Sequence, residues 1–166
     1  MELQTLAFDA LDPRTLYALM HLRELVFVVG QGICSMAEID GADPRAHHVL
    51  LWAELPPAPE LRGEAAGPAS LEALRRPGHA GESLVGTARV FLDEEPARVG
   101  RVAIHPALQR RGLGRELMGA VHALLGDRAG TMHAQQHLEP WYGSLGWRRV
   151  GEPFDEAGIP HLTMVR

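Results

Sequence analysis

Val102-Ala103-Ile104-His105-Pro106-Ala107-Leu108-Gln109-Arg110-Arg111-Gly112-Leu113-Gly114-Arg115 is the stretch on which the fold turns. Its opening residues end an apolar strand. Beyond Gly114, the residues Leu117, Met118, Val121, Leu124 and Leu125 recur on one helical face as far as Gly126. A strand therefore runs through a short glycine-containing loop into an amphipathic helix. The first turn of such a helix carries unpaired N–H groups and the positive end of its dipole, where a diphosphate docks.

Gly112 and Gly114 let backbone come close to phosphate oxygens because no Cβ intervenes, and Arg110, Arg111 and Arg115 add local positive charge. A bare Gly-x-Gly is by itself often only a surface turn with solvated arginines; here the strand before it and the strong helix after it favour the phosphate reading. Two other phosphate cradles are excluded by pattern. The chain has neither Gly-x-x-x-x-Gly-Lys-Ser/Thr nor Gly-x-Gly-x-x-Gly after its first strand.

Working outward, Leu84–Leu92 and Arg98–Ile104 read as strands joined by the turn Asp93-Glu94-Glu95-Pro96, which predicts an antiparallel pair. The passage from Val99 through the helix to Thr131–Ala134 is strand, helix, strand, which places its two strands parallel. Upstream, Glu2–Phe8 alternates as a half-buried strand, and Asp12 caps a helix expected over Pro13–Phe27. Gly30 to Pro44 reads as a loop with one helical turn, and His48–Ala53 as a central strand. Downstream come a short helix over Leu138–Leu145 closed by Gly146, and a final strand pair, Trp147–Val150 with His161–Val165. The sum is an α/β chain (α+β) with one mixed, twisted sheet flanked by helices.

The 166 residues fit a single domain spanning 1–166. The stretch 56–82 is crowded with Pro, Gly, Ala and Glu, so it reads as a mobile insertion, and deleting Leu61–Gly81 is expected to cost little. A formal charge of −5 provides no global positive field for nucleic acid or anionic lipid. No apolar run approaches the ~20 residues of a membrane span, and Met1-Glu2-Leu3-Gln4 lacks a basic region followed by an apolar one. With Cys34 as the single cysteine, a reducing cytoplasm is expected. Nine histidines invite a metal, yet there is no His-Glu-x-x-His and no cysteine pair, so no metal site is expected.

Val102-Ala103-Ile104-His105-Pro106 followed by Gln109-x-x-Gly112-x-Gly114 resembles motif A of the GNAT superfamily of N-acetyltransferases. Trp141-Tyr142-Gly143-Ser144-Leu145-Gly146-Trp147 is similar to its motif B, an aromatic-Tyr-x-x-x-Gly-aromatic pattern. Leu22-Arg23, Val26-Phe27-Val28-Val29, Gln31, Ile39-Asp40-Gly41-x-Asp43, Gly100-Arg101-Val102 and Gly158-Ile159-Pro160-His161 resemble the ElaA-like branch, so the likeness spans nearly the whole chain. Two departures stand out. Gly30 occupies a position usually acidic in that branch, and 56–82 lengthens a connection that is short elsewhere.

The resemblance implies a GNAT fold in which the fourth strand and its parallel neighbour splay apart. It implies acetyl-CoA as cosubstrate, with Val102, Ala103 and Ile104 offering backbone to the pantetheine arm. Gln109, Arg110, Arg111, Gly112, Leu113, Gly114 and Arg115 would then hold the diphosphate. The implied acceptor is a primary amine of a small molecule or peptide, and a homodimer is left open. Tyr142 matches the superfamily tyrosine that protonates the departing CoA sulfur, a role within reach of a phenol; core packing is the competing role. Attack requires a neutral amine, hence somewhere for its proton to go. Glu24, Glu38, Asp40, His48, Glu139 and His161 are all candidate bases, as is a water chain. His161 ranks first, because imidazole titrates near neutrality and its loop would wall the acceptor side. Two further readings stay open: a CoA-binding module without turnover, and an acyltransferase with a longer acyl donor.

Overall fold

The computed structural model describes residues 1–32, 37–56 and 67–166. Seven strands form one sheet: β1 (Glu2–Ala7), β2 (His47–Glu54), β3 (Glu82–Phe91), β4 (Ala97–Ile104), β5 (Gly130–Gln135), β6 (Arg148–Glu156) and β7 (Ile159–Val165). Their spatial order is β1-β2-β3-β4-β5-β7-β6. Every pairing is antiparallel except that of β4 with β5. The mixed sheet expected from sequence, with one parallel pair at its centre, is the sheet observed.

Helices cover both faces, and the alternation along β2 shows how. Val49 and Leu51 join the core under α3 (Leu113–Leu125), while Leu50 and Trp52 join the core under α1 (Pro13–Arg23). Burial on both faces is why this strand reads as an unbroken apolar run. Asp12 caps α1 as expected, accepting from the N–H groups of Arg14 and Thr15 at 2.9 and 3.1 Å. The helix does not simply end near Phe27. At Glu24 it widens into a π-helical turn through Val29, closed by Gly30 N–H to Leu25 O at 3.0 Å. A Cβ on Gly30 would lie 2.7 Å from Val26 O, so this turn is built around the missing side chain.

Within the stretch read as an insertion, residues 57–66 lie outside the described residues, as does Cys34. Part of the remainder is packed. It holds α2 (Pro68–Ala73) and the fully buried Leu74, whose carbonyl accepts Leu84 N–H at 2.8 Å. Arg76 is buried beside them and bonds Glu2 and Glu82. These contacts join the segment to both β1 and β3.

The C-terminal pair is longer than its composition suggests. β6 continues past Pro153 to Glu156, and the chain turns at Ala157-Gly158 straight into β7. Pro153 falls inside a break in the β6–β7 register between Val150 and Phe154. On an edge strand a missing N–H is tolerated there. His161, read from sequence as the first residue of its strand, lies within β7, which begins two residues earlier at Ile159. Among the described residues no helix is long and apolar enough to cross a membrane, and no group of three His, Cys, Asp or Glu is arranged to hold a metal ion.

Candidate functional site

The parallel pairing of β4 with β5 covers only three positions, Ala97–Gly130, Arg98–Thr131 and Val99–Met132. Past Val99 the strands part. On its other side β4 remains paired with β3, but Thr87 faces Ala103 while Arg89 faces Gly100, so β4 carries one extra residue. That bulge contains Arg101, held at φ 52°. A bulge sharpens local twist and frees backbone groups from the ladder. Here it lies where β4 leaves β5, so Val102, Ala103 and Ile104 have no partner on β5, and Val102 lines the gap.

The gap opens into a cleft of about 240 Å³, with Phe27, Val102, Gln135, Tyr142, Glu156 and His161 among its walls. Tyr142 reaches it from α4 (Glu139–Gly143), the helix of the second motif. Its ring is buried, and burial alone, with no hydrogen bond to a described residue, pushes its phenol well above the ordinary range. The group stays protonated and can donate. Across the opening, Gln135 Nε2 donates to Gln31 Oε1 at 3.0 Å.

The glycine-rich loop lies outside this cleft, at the exposed start of α3. Gly112 caps the helix at φ 86° with no side chain bonded to the first-turn N–H groups. Space where its Cβ would stand is open. Arg110 takes φ 61°, and Gln109, Arg110, Arg111 and Arg115 are exposed around it. Gln109 Nε2 donates to Ile104 O at 3.2 Å, which fastens the loop to the end of β4. This is a backbone cradle with free donors and positive charge, and its chemistry fits a diphosphate. Leu113 and Gly114 are turned partly inward, and Gly114 meets the Trp141 indole. Arg115 donates to Ser144 Oγ at 3.1 Å, so the two motifs touch.

The candidate bases separate by position. Glu24, Asp40, His48 and Glu139 do not line the cleft, whereas Glu38 and His161 do. Glu38 is bonded to Arg23 and to Arg101. Asp40 accepts both guanidinium nitrogens of Arg89, at 2.7 and 2.8 Å, and those bonds hold its carboxyl far below the usual range. Burial would raise Asp43, but Arg23 and Arg89 outweigh it and the net displacement is downward. Three arginines and three carboxylates thus form one network, which ties residues 38–43 to α1, β3 and β4. His48 is fully buried, and burial lowers its pKa. His161 Nδ1 donates to Ile159 O at 2.8 Å, which leaves the lone pair of its neutral ring on Nε2.

Two cleft residues escaped the sequence reading. His133 Nδ1 lies 3.2 Å from Glu156 Oε2, and the Phe154 ring sits between His133 and His161, at 4.8 and 6.2 Å between centroids. The signal was present in Asp155-Glu156-Ala157-Gly158, a hairpin turn whose flanks alternate.

A family model described as Acetyltransferase (GNAT) domain matches residues 78–166. Protein ElaA of Escherichia coli is 31% identical over 175 aligned residues, covering all of this chain and 96% of that one. The crystal structure of E. coli ElaA superposes with a TM-score of 0.75, covering 99% of this chain and 98% of that one. An acyl-CoA N-acyltransferase from Pseudomonas aeruginosa, 29% identical, superposes at 0.73 over 100% and 99% of the two chains. With the splayed strands, the open cradle and both motifs in contact, the chain belongs to the GNAT family in its ElaA-like branch, and the activity that goes with membership is acyl-CoA-dependent N-acyl transfer.

Proposed function

We propose that the protein transfers an acetyl group from acetyl-CoA to a primary amine of a small molecule or peptide. The observation that carries this reading is the order of the parts: Gln109 fastens the glycine-rich loop to the end of β4, and β4, unpaired with β5 beyond Val99, borders the cleft that Val102 and Tyr142 line. A diphosphate on the cradle would leave the pantetheine arm to follow that strand, with the thioester in the gap beside the phenol.

In the reaction, His161 Nε2 takes a proton from the acceptor ammonium. The neutral amine nitrogen attacks the thioester carbonyl, and the tetrahedral intermediate then expels sulfur as the C–S bond breaks. The Tyr142 hydroxyl delivers its proton to the thiolate, the nitrogen of the new amide loses its extra proton to water, that proton restores the phenolate, and His161 returns the first proton to solvent. Much of the remaining acceleration comes from holding amine and thioester together. No metal takes part in this scheme, and the proposed setting is the cytoplasm.

The test is release of free CoA thiol from acetyl-CoA against a library of amines, with mass detection of the acetylated product. Amine-dependent thiol release supports transfer. CoA binding with no turnover of any amine would instead favour a binding module. Thermal shifts with acyl-CoAs of graded length address the donor: stabilisation that keeps rising with chain length would replace acetyl by a longer acyl group.

A further inference from the structure

We propose that Glu156 anchors the ammonium of the acceptor, and that the cleft thereby selects amines with no carboxylate beside the amine. Glu156 takes this role within the amine-acylation reading given above, on which it rests. The carboxylates lining the described cleft are Glu38 and Glu156. Glu38 is bonded to Arg23 and Arg101. Glu156 is bonded through Oε2 to the Nδ1 of His133, its side chain one-third exposed, which leaves Oε1 for a donor arriving in the cleft.

The cations of the same walls are already engaged. Arg89 is held by Asp40 and Asp43, and Arg101 by Glu38 and Asp40. Arg98 gives two bonds of 2.7 Å to Glu94 and lies 4.0 Å above the Phe91 ring. An acceptor ammonium therefore meets a carboxylate whose only described partner is an imidazole. An acceptor carboxylate meets no uncommitted arginine among the described lining residues and is repelled by Glu156. A charge-assisted hydrogen bond at such a position changes affinity by about tenfold. Simple amines, α-amino amides and peptide amino termini fit; free α-amino acids do not.

The test uses the full chain with CoA bound, and a pair of probes of equal size, phenylalaninamide and phenylalanine. Binding is followed by the imidazole NMR signals of His133 and His161. The expected result is saturable shifts with the amide, at an affinity at least about tenfold above that of the amino acid. Glu156→Gln is expected to weaken the amide about tenfold and erase most of the preference, while CoA affinity stays unchanged. Equal binding of the two probes, absence of shifts with the amide, or an amide affinity unaffected by Glu156→Gln would each overturn the assignment. Acetyl-CoA turnover of the amide is scored separately. Binding through Glu156 without acetylation removes the transfer reading and keeps the anchor; acetylation with a preference indifferent to Glu156→Gln does the reverse.

Discussion

The indole of Trp141 closes on Gly114 so tightly that a Cβ at position 114 would lie 3.0 Å from its Cζ2, whereas two residues earlier a Cβ on Gly112 would meet nothing within 4 Å. The two glycines of one motif therefore serve different ends. Gly112 keeps the approach to the helix N-terminus clear, and Gly114 lets the helix of one motif seat against the other.

Substitution should separate these roles. Gly112→Asp places a carboxylate before the cradle, and CoA affinity measured by calorimetry is expected to disappear, with strain at positive φ lowering stability by about 1–3 kcal/mol. Gly114→Val instead pushes on Trp141, and its main effect is expected on thermal stability, about 1–3 kcal/mol from overpacking. A folded Gly112→Asp protein with unchanged CoA affinity would remove the cradle assignment.

Arg23 is fully buried and bonds Glu38 and Asp43. Removing one partner of such a network leaves an uncompensated buried charge, so Arg23→Ala is expected to destabilise by about 3–5 kcal/mol in urea titration. Its hydrophobic alternative, a combined Arg23→Met, Asp43→Leu change, should recover part of that loss. If Arg23→Ala is as stable as wild type, the network does not hold residues 38–43 in place.

Leu74 has no exposed surface and packs with Leu19, Leu22 and Trp52. Leu74→Ala is expected to cost about 2–5 kcal/mol, and excision of Leu61–Gly81, which removes Leu74 and Arg76 together, should yield insoluble or molten protein. Composition pointed the other way. A stretch rich in Pro, Gly and Ala reads as peripheral, because nothing local reveals that one leucine and one arginine in it have partners on β1, β3 and α1.

The same contrast runs through the site. The cradle was legible, since two glycines, a strand end and an amphipathic helix all lie within 25 residues and their consequences are local. The π-helical turn was not, because Leu25, Val26 and Phe27 satisfy ordinary helical spacing equally well. Asp40 and Asp43 were visible as part of a resemblance, but not what they do. Their partner Arg89 comes from β3, far along the chain, and only the fold makes Asp40 an occupied carboxylate instead of a base. Glu156 was lost to a single misjudged strand length, because the strand read as Trp147–Val150 runs on past Pro153 to Glu156.

Acid should weaken the fold through its buried imidazoles. Burial pushes the His105 ring down to about 4, below its ordinary 6.5, and the Nε2 atom has no partner among the described residues. Between those values the unfolded chain binds more protons than the folded one, so stability rises with pH there and is lost as pH falls from about 6.5 toward 4. The slope from one such group is at most about 1.4 kcal/mol per pH unit. Urea midpoints measured across this window should drop for the wild type and drop less for His105→Gln. Equal slopes would mean that His105 is hydrated and titrates normally.

Tyr142→Phe is expected to lower turnover far more than it weakens acetyl-CoA binding. The substitution keeps the ring, which is packed 4.6 Å from Trp141 between centroids, and deletes only the hydroxyl. Expulsion of the thiolate develops negative charge on sulfur, so a donor engaged chiefly in the transition state shows itself in kcat and not in ground-state affinity. General acid catalysis contributes ~10²–10⁴-fold, and a loss of that size is expected once an acceptor is in hand. Because burial raises the phenol far above its ordinary value, wild-type kcat should not fall through Tyr142 ionisation across the usual alkaline assay range. A purely structural tyrosine would behave differently, with a lower Tm and full activity per folded molecule. If the phenylalanine variant keeps wild-type kcat while chemistry limits the rate, water or another group protonates the sulfur and Tyr142 is only part of the wall.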